Sequence, residues 1–189
     1  MLTLADVFEA LTNNRPVMAM PVITEAVVDS RQVIPGCLFV AIQGEHVDGH
    51  DFIQDVFQRG ASFALIEHDI TGSYPSIDLR NKTDMNHVEL PKGPICLRVE
   101  NTLSAMQKIA HFWRRKLDIR VVGITGSVGK STTKELIAEV LSTRYRTLKN
   151  QGNMNNEIGL PLSILKLSSS YERAVLEMGF YVPGEIAFL

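Results

Sequence analysis

Residues 123–133 read GITGSVGKSTT, with glycines seven, four and one places before Lys130. The strict phosphate-loop pattern G-x-x-x-x-G-K-[ST] puts a glycine six places before the lysine, where this chain has Ile124. The physical requirements of such a loop survive the irregular spacing. They are a strand to deliver the chain, small residues that let backbone N–H groups approach phosphates, and a helix whose positive N-terminus points at them. Gly126 and Gly129 stand where close backbone approach matters, and Lys130 can reach the β and γ phosphates of a nucleotide. Ser131, at the helix start, can ligate Mg²⁺. The alternative is a glycine-rich strand-to-helix turn that binds nothing.

Outward from the loop, the chain after about residue 118 alternates between strand and helix. IRVVGIT (119–125) is a continuous apolar run of the kind buried in a parallel sheet. A helix follows with Leu136, Ile137, Val140 and Leu141 on one face, then a short strand near YRTL (145–148). A loop, a helix over LPLSILKL (160–167) and the strand RAVLEMG (173–179) complete the pattern. Glu177 ends that strand, at the edge where α/β folds bind ligands. It is either a Mg²⁺ ligand or a carboxylate hydrogen-bonded at the strand end. Asn150, Asn153, Asn155 and Asn156 cluster between strand and helix. They are either a turn device using left-handed backbone or a set of amide groups facing a polar ligand. Pro183-Gly184 then leads into EIAFL (185–189), the first turn and a half of another helix. Three strands with an interrupted crossover leave apolar faces uncovered, so the sequence reads as a piece of a longer protein.

Before residue 118 the elements are shorter and more mixed. Leu4, Val7, Phe8 and Leu11 predict a helix over 3–11, stopped by Asn13-Asn14. VITEAVV (22–28) and CLFVAI (37–42) predict strands on either side of the turn Pro35-Gly36. The polar loop QGEHVDGH (43–50) precedes a helix from Asp51, closed by Gly60. SFALIE (62–67) and ICLRVE (95–100) are strands, and residues 68–94 are loops with room for one short strand. Asn101 caps a helix with an apolar stripe of Leu103, Met106, Ile109, Ala110, Trp113 and Leu117. A domain boundary is expected near residue 118, giving domains 1–117 and 118–189.

The bulk composition excludes more than it assigns. With 45% hydrophobic and 21% charged residues and a net charge of -2, the chain advertises neither a nucleic-acid nor a membrane surface. The N-terminus lacks the basic start and apolar run of a secretory signal, and no apolar stretch is long enough to span a bilayer, so a cytoplasmic protein is expected. Cys37 and Cys96 sit in apolar runs without a partner at metal spacing and read as buried free thiols. His46, His68, His87 and His111 belong to no motif and read as surface or core-edge residues.

GITGSVGKSTTKE (123–135) resembles the loop of the Mur ligase family, ATP-dependent enzymes that form amide bonds in peptidoglycan precursors, and the family's glycines are spaced as here. Val128 replaces an asparagine frequent in the family. NQGNMNNEIGLPLSIL (150–165) and AVLEMGFYVPGEI (174–186) resemble motifs of the MurF type, which joins D-alanyl-D-alanine to UDP-N-acetylmuramoyl-tripeptide. Two departures are Asn150, where a threonine is common, and residues 180–182, where an asparagine-histidine stretch is usual; no role is carried onto the latter. DSRQVIPGCLFVAIQGEHVDGHDFIQDVFQRGASFALIE (29–67) resembles the N-terminal domain that holds the UDP end of the substrate. Within it Asp29, Ser30, Arg31, His50, Asp51 and Phe52 match recurring elements. Arg31 can pair a diphosphate or simply Asp29, and the loop at Gly49-His50 can touch the nucleotide or simply turn the chain.

The resemblance implies a small mixed α/β substrate-binding domain followed by the start of a P-loop parallel-sheet ATPase domain. It implies ATP and Mg²⁺ as cofactors, with Gly126, Ser127, Val128, Gly129, Lys130, Ser131 and Thr132 binding ATP. Lys130 and Glu177 are the implied catalytic residues, and Ser131 and Glu177 the implied metal ligands. Ser30, Arg31, His50, Asn155 and Asn156 are the implied substrate contacts, the partners being UDP-N-acetylmuramoyl-tripeptide and D-alanyl-D-alanine, and a monomer is expected. A carbamylated lysine, a second metal site, the adenine site and a mobile C-terminal domain would lie beyond residue 189, so residues 1–189 alone are expected to be inactive. The competing readings are a non-catalytic nucleotide or UDP-sugar binding module and a related amide ligase with another substrate.

Overall fold

The computed structural model of the protein describes residues 1–70, 74–80, 90–180 and 183–189. The chain forms two compact units, Met1–Phe112 and Trp113–Leu189. Each is built on a parallel sheet.

The first unit opens with helix α1 (Leu4–Thr12). Thr3 and Asp6 close a reciprocal capping box at its start, and Asn13, in left-handed backbone at φ 59°, ends it. Five strands follow: β1 (Ala26–Val27), β2 (Leu38–Val40), β3 (Phe63–Ile66), β4 (Ser76–Asp78) and β5 (Ile95–Arg98). They pair in the order β1-β2-β3-β5-β4, every pair parallel. Helix α2 (Ile53–Gln58) belongs to the crossover from β2 to β3, and α3 (Thr102–Lys116) follows β5. Asn101 caps α3 as expected, its Oδ1 accepting from the Ser104 N–H at 2.8 Å.

Parallel strands covered on both faces are apolar at successive positions, and β3 is buried along its whole length. On one face Phe39, Ala64, Ile66 and Cys96 pack with Ile53, Val56 and Phe57 of α2. Cys37 joins the same cluster, so both thiols are buried and unpaired. Burial pushes the Cys96 thiol up to about 11 and raises that of Cys37. The short strand allowed for within 68–94 is β4. His87 lies outside the described residues.

The second unit comprises β6 (Arg120–Ile124), α4 (Lys130–Ser142), β7 (Thr147–Lys149), α5 (Gly159–Leu165), β8 (Arg173–Glu177) and α6 (Glu185–Phe188). Its strands pair in parallel in the order β6-β8-β7, so β8 is central. Ala174, Val175, Leu176 and Glu177 are accordingly all buried.

Two expectations are corrected here. β6 is not buried: it is an edge strand, and only Ile124 of its five residues is fully covered. The apolar face expected on α4 is also divided. Ile137 and Leu141 pack with Ala138, Ile124 and Val175, while Leu136 and Val140 are 63% and 69% exposed. The physical reason is shared: β6 has a neighbour on one side only, so the surfaces beside it have nothing to pack against within this unit.

Candidate nucleotide and metal site

The parallel register aligns Ile124 of β6 with Glu177 of β8. The loop leaving β6 therefore starts beside the last residue of β8, at the carboxyl edge of the sheet. β7, next along the chain, lies on the far side of β8, so the chain reverses its direction of progress across the sheet at this point. Gly126 and Gly129 hold φ of 140° and 82°, backbone that L side chains rarely adopt, and each has open space where a Cβ would stand. Conformation, rather than crowding, is what requires glycine there. Gly129 passes the chain into α4, whose first turn brings Lys130 and Ser131 back over the strand ends.

Ser131 and Glu177 meet across this corner, the Ser131 Oγ donating to Glu177 Oε2 at 2.9 Å. Asn155 Nδ2 donates to the other carboxylate oxygen, also at 2.9 Å. Glu177 is only 3% exposed. Burial opposes its ionisation, but the hydrogen bonds from Asn155 and Ser131 and the nearby charge of Lys134 outweigh that, leaving the carboxyl below its ordinary value. The group is thus a carboxylate whose charged form is favoured and whose two oxygens are held in place. The Lys130 ammonium folds back to donate to the Gly126 carbonyl at 2.6 Å and lies 5.6 Å from the centre of the Phe180 ring. A cavity of about 470 Å³ is lined by Ser127, Gly129, Lys130, Ser131, Thr132, Asn155 and Glu177, with Gly179 and Phe180. Val128, 92% exposed, stands outside that lining.

The asparagine cluster divides its labour, and none of its four members has the left-handed backbone that the sequence left open. Asn155 faces the site. Asn156 caps α5 instead, its Oδ1 accepting from the N–H groups of Ile158 and Gly159 at 3.3 and 2.8 Å. Asn150 is 1% exposed and pins the end of β8. Its Nδ2 donates to the Glu177 and Met154 carbonyls at 2.9 and 2.7 Å, and its Oδ1 accepts from the Glu177 N–H at 2.8 Å. Gly159 is required by close approach: a Cβ there would lie 2.4 Å from the Met154 Cα.

Two residues of this corner were missed by sequence reasoning. Asn150 was read only as a member of the asparagine cluster and a departure from a pattern, and no sequence signal marks its bracing role. Lys134 left a signal that can be read: on a helix it shares a face with Ile137, Ala138 and Leu141, an unusual place for a lysine. It is 2% exposed, with its Nζ 3.5 Å from Glu177 Oε2 and 3.6 Å from Glu135 Oε1.

In the first unit, Asp29 caps a short 3-10 turn over Ser30–Gln32. Arg31 is 83% exposed and grips Asp29 through Nε and Nη2, at 2.9 and 2.8 Å, which holds the Asp29 carboxyl down at about 2. Ser30 lies in the same turn. The His50 ring is buried, with Nδ1 2.6 Å from Asp48 and Nε2 accepting the Glu67 N–H at 2.9 Å. Accepting that N–H puts the ring proton on Nδ1, so both nitrogens are engaged within the protein. His68 stacks on His50, with ring centroids 4.2 Å apart. Asp48, His50 and His68 lie close enough together to suggest a metal cluster, but the commitment of both His50 nitrogens argues against one.

Residues 22–114 match the family description "Mur ligase family, catalytic domain", and residues 124–188 match "Mur ligase middle domain". The chain belongs to the Mur ligase family. It is 36% identical, over 92% of its length, to the UDP-N-acetylmuramoyl-tripeptide--D-alanyl-D-alanine ligase of Bacillus subtilis, of which it covers 34%. Among solved structures, the corresponding ligase of Acinetobacter baumannii superposes with a TM-score of 0.76 at 28% identity, covering 97% of this chain and 38% of that one. The MurF ligase of Thermotoga maritima, solved in complex with ADP, gives 0.67 at 32% identity, over 95% of this chain and 35% of that one. The chain therefore spans about a third of the length of the Mur ligases it matches. Its mixed α/β architecture with parallel sheets is that of MurF ligases.

Proposed function

We propose that the full-length protein is an ATP-dependent ligase of peptidoglycan precursor synthesis that joins D-alanyl-D-alanine to UDP-N-acetylmuramoyl-tripeptide. The observation that carries the reading is the corner where Ser131, Asn155 and the buried, ionised Glu177 meet beside the loop of Lys130, in a chain whose relatives are ligases of that description. Residues 1–117 would hold the UDP end of the substrate, with Ser30, Arg31 and the loop at His50 near the carboxyl edge of their sheet. Residues 118–189 would begin the ATP-binding domain. The protein is read as cytoplasmic and monomeric; no helix among its described residues is long and apolar enough to cross a membrane.

Amide formation from a carboxylate needs an activated acyl group, and ATP supplies one as an acyl phosphate that the incoming amine displaces. The protein's task is positioning and charge neutralisation. Backbone N–H groups from Gly126 to Thr132 would hold the phosphates, and Thr132 would add its hydroxyl. Lys130, whose ammonium now donates to the Gly126 carbonyl, would turn to the phosphates and bring positive charge to the transferring group. The donor set fits Mg²⁺, since the Ser131 hydroxyl and the Glu177 carboxylate are hard oxygen ligands 2.9 Å apart at the cavity wall. Bound there, the ion would neutralise phosphate charge. Asn155 holds the second oxygen of Glu177 and so fixes the carboxylate's orientation. Asn156 contributes by shaping that loop.

The test is phosphate release by the complete gene product with ATP, the tripeptide precursor and D-alanyl-D-alanine. Release that requires both peptide substrates, and that Lys130→Ala lowers by about a hundredfold or more, is expected. Nucleotide binding without release under any substrate pair would instead leave a binding module. Residues 1–189 alone should form no amide bond.

A further inference from the structure

Lys134 is among the largest fully buried side chains of the protein, and its ammonium faces the same oxygen of Glu177 that Ser131 contacts. A buried lysine loses its hydration and its rotamer freedom, so its placement needs a compensating interaction. Glu177 supplies one with a full negative charge, and Glu135 adds a second carboxylate at 3.6 Å. The arrangement has a consequence for any cation that uses Glu177. Asn155 donates to Oε1, and Oε2 accepts from Ser131 with the Lys134 ammonium 3.5 Å away, so a cation taken up by this carboxylate comes close to that positive charge. A divalent ion there would meet a like charge in a poorly hydrated setting, where such repulsion is strong.

We propose that Lys134 is a positioning residue that keeps Glu177 from taking up a divalent cation by itself, so that the metal enters only together with the nucleotide, whose phosphates supply the missing negative charge. Lys134 acts through Glu177 and touches no reacting atom. Its place on α4, four residues after Lys130, puts two lysines of one helix to different uses: Lys130 turns to the cavity and Lys134 lies beneath it. The inference rests on the reading of Glu177 as a metal ligand, and the experiment separates the two.

Mn²⁺, followed by its electron paramagnetic resonance signal, is titrated into the complete gene product without nucleotide and again with ADP. Wild-type protein should bind Mn²⁺ at Glu177 only with ADP present. Lys134→Met should tighten nucleotide-free Mn²⁺ binding by about tenfold or more, Lys134→Arg should return it to the wild-type level, and adding Glu177→Gln to Lys134→Met should abolish the gain. Equal Mn²⁺ affinity for wild type and Lys134→Met, with binding of the Mn²⁺–ADP complex still lost in Glu177→Gln, would overturn the role of Lys134 and leave the metal reading standing. A Glu177→Gln protein that binds Mn²⁺ and ADP as wild type does would overturn both. Should Lys134→Met fail to fold, the wild-type titrations decide, because equal Mn²⁺ affinity with and without ADP overturns the proposal.

Discussion

Asn150 shows how much of this site is held by a side chain that never reaches the cavity. Three hydrogen bonds tie it to the backbone of Glu177 and to the Met154 carbonyl, in a position with 1% exposure. Replacing it by alanine strands a buried N–H and two carbonyls, each costing about 1–3 kcal/mol if left unpaired. Asn150→Ala should therefore lower unfolding stability by roughly 2–4 kcal/mol, measured by urea denaturation. A change below about 0.5 kcal/mol would mean that water replaces the amide at no cost. From sequence, the meeting of Lys130, Ser131 and Glu177 at one cavity was legible because a strand-loop-helix unit puts its loop beside the end of the neighbouring parallel strand. Asn150 and Asn156 were not, since an asparagine that braces backbone and one that faces a ligand look the same until the loop is folded.

At the scale of single elements, β6 and α4 show where sequence patterning misleads. An apolar strand and an amphipathic helix carry the same pattern whether or not their partner surface is at hand, because periodicity records which face is apolar and not what covers it. In residues 1–189, Leu136→Lys and Val140→Lys should change stability by less than about 0.5 kcal/mol, as for other exposed sites. Ala138→Asp, midway between them but on the opposite side of the helix and 3% exposed, should cost more than about 2 kcal/mol by burying an unpaired charge. Thermal unfolding of the three variants checks the contrast, and a large loss at Leu136 would show that its face is covered. Element types were legible elsewhere: the Asn13 stop and the Asn101 cap both mark real helix ends. Each works through its own few residues, so no distant contact is needed to place it.

Across the whole molecule, Cys37 and Cys96 report on the integrity of the first unit's core. Both are buried in one cluster between sheet and α2, and burial raises both thiols above their ordinary range, to about 11 for Cys96. Iodoacetamide at about pH 8 should leave both unmodified in the native protein and alkylate both in concentrated guanidinium, as mass spectrometry would show. Modification of one thiol under native conditions would reveal local opening of that sheet. By itself the sequence determined the order of elements, the strand-loop-helix unit around residues 123–133 and the membership of the Mur ligase family, because these depend on local spacing and residue type. Only the tertiary structure decided which asparagine faces the cavity, that β6 is an edge, and that Lys134 lies buried against Glu177. Those facts depend on strand order and register, which bring residues 46 and 53 positions apart in the chain to one corner of a sheet.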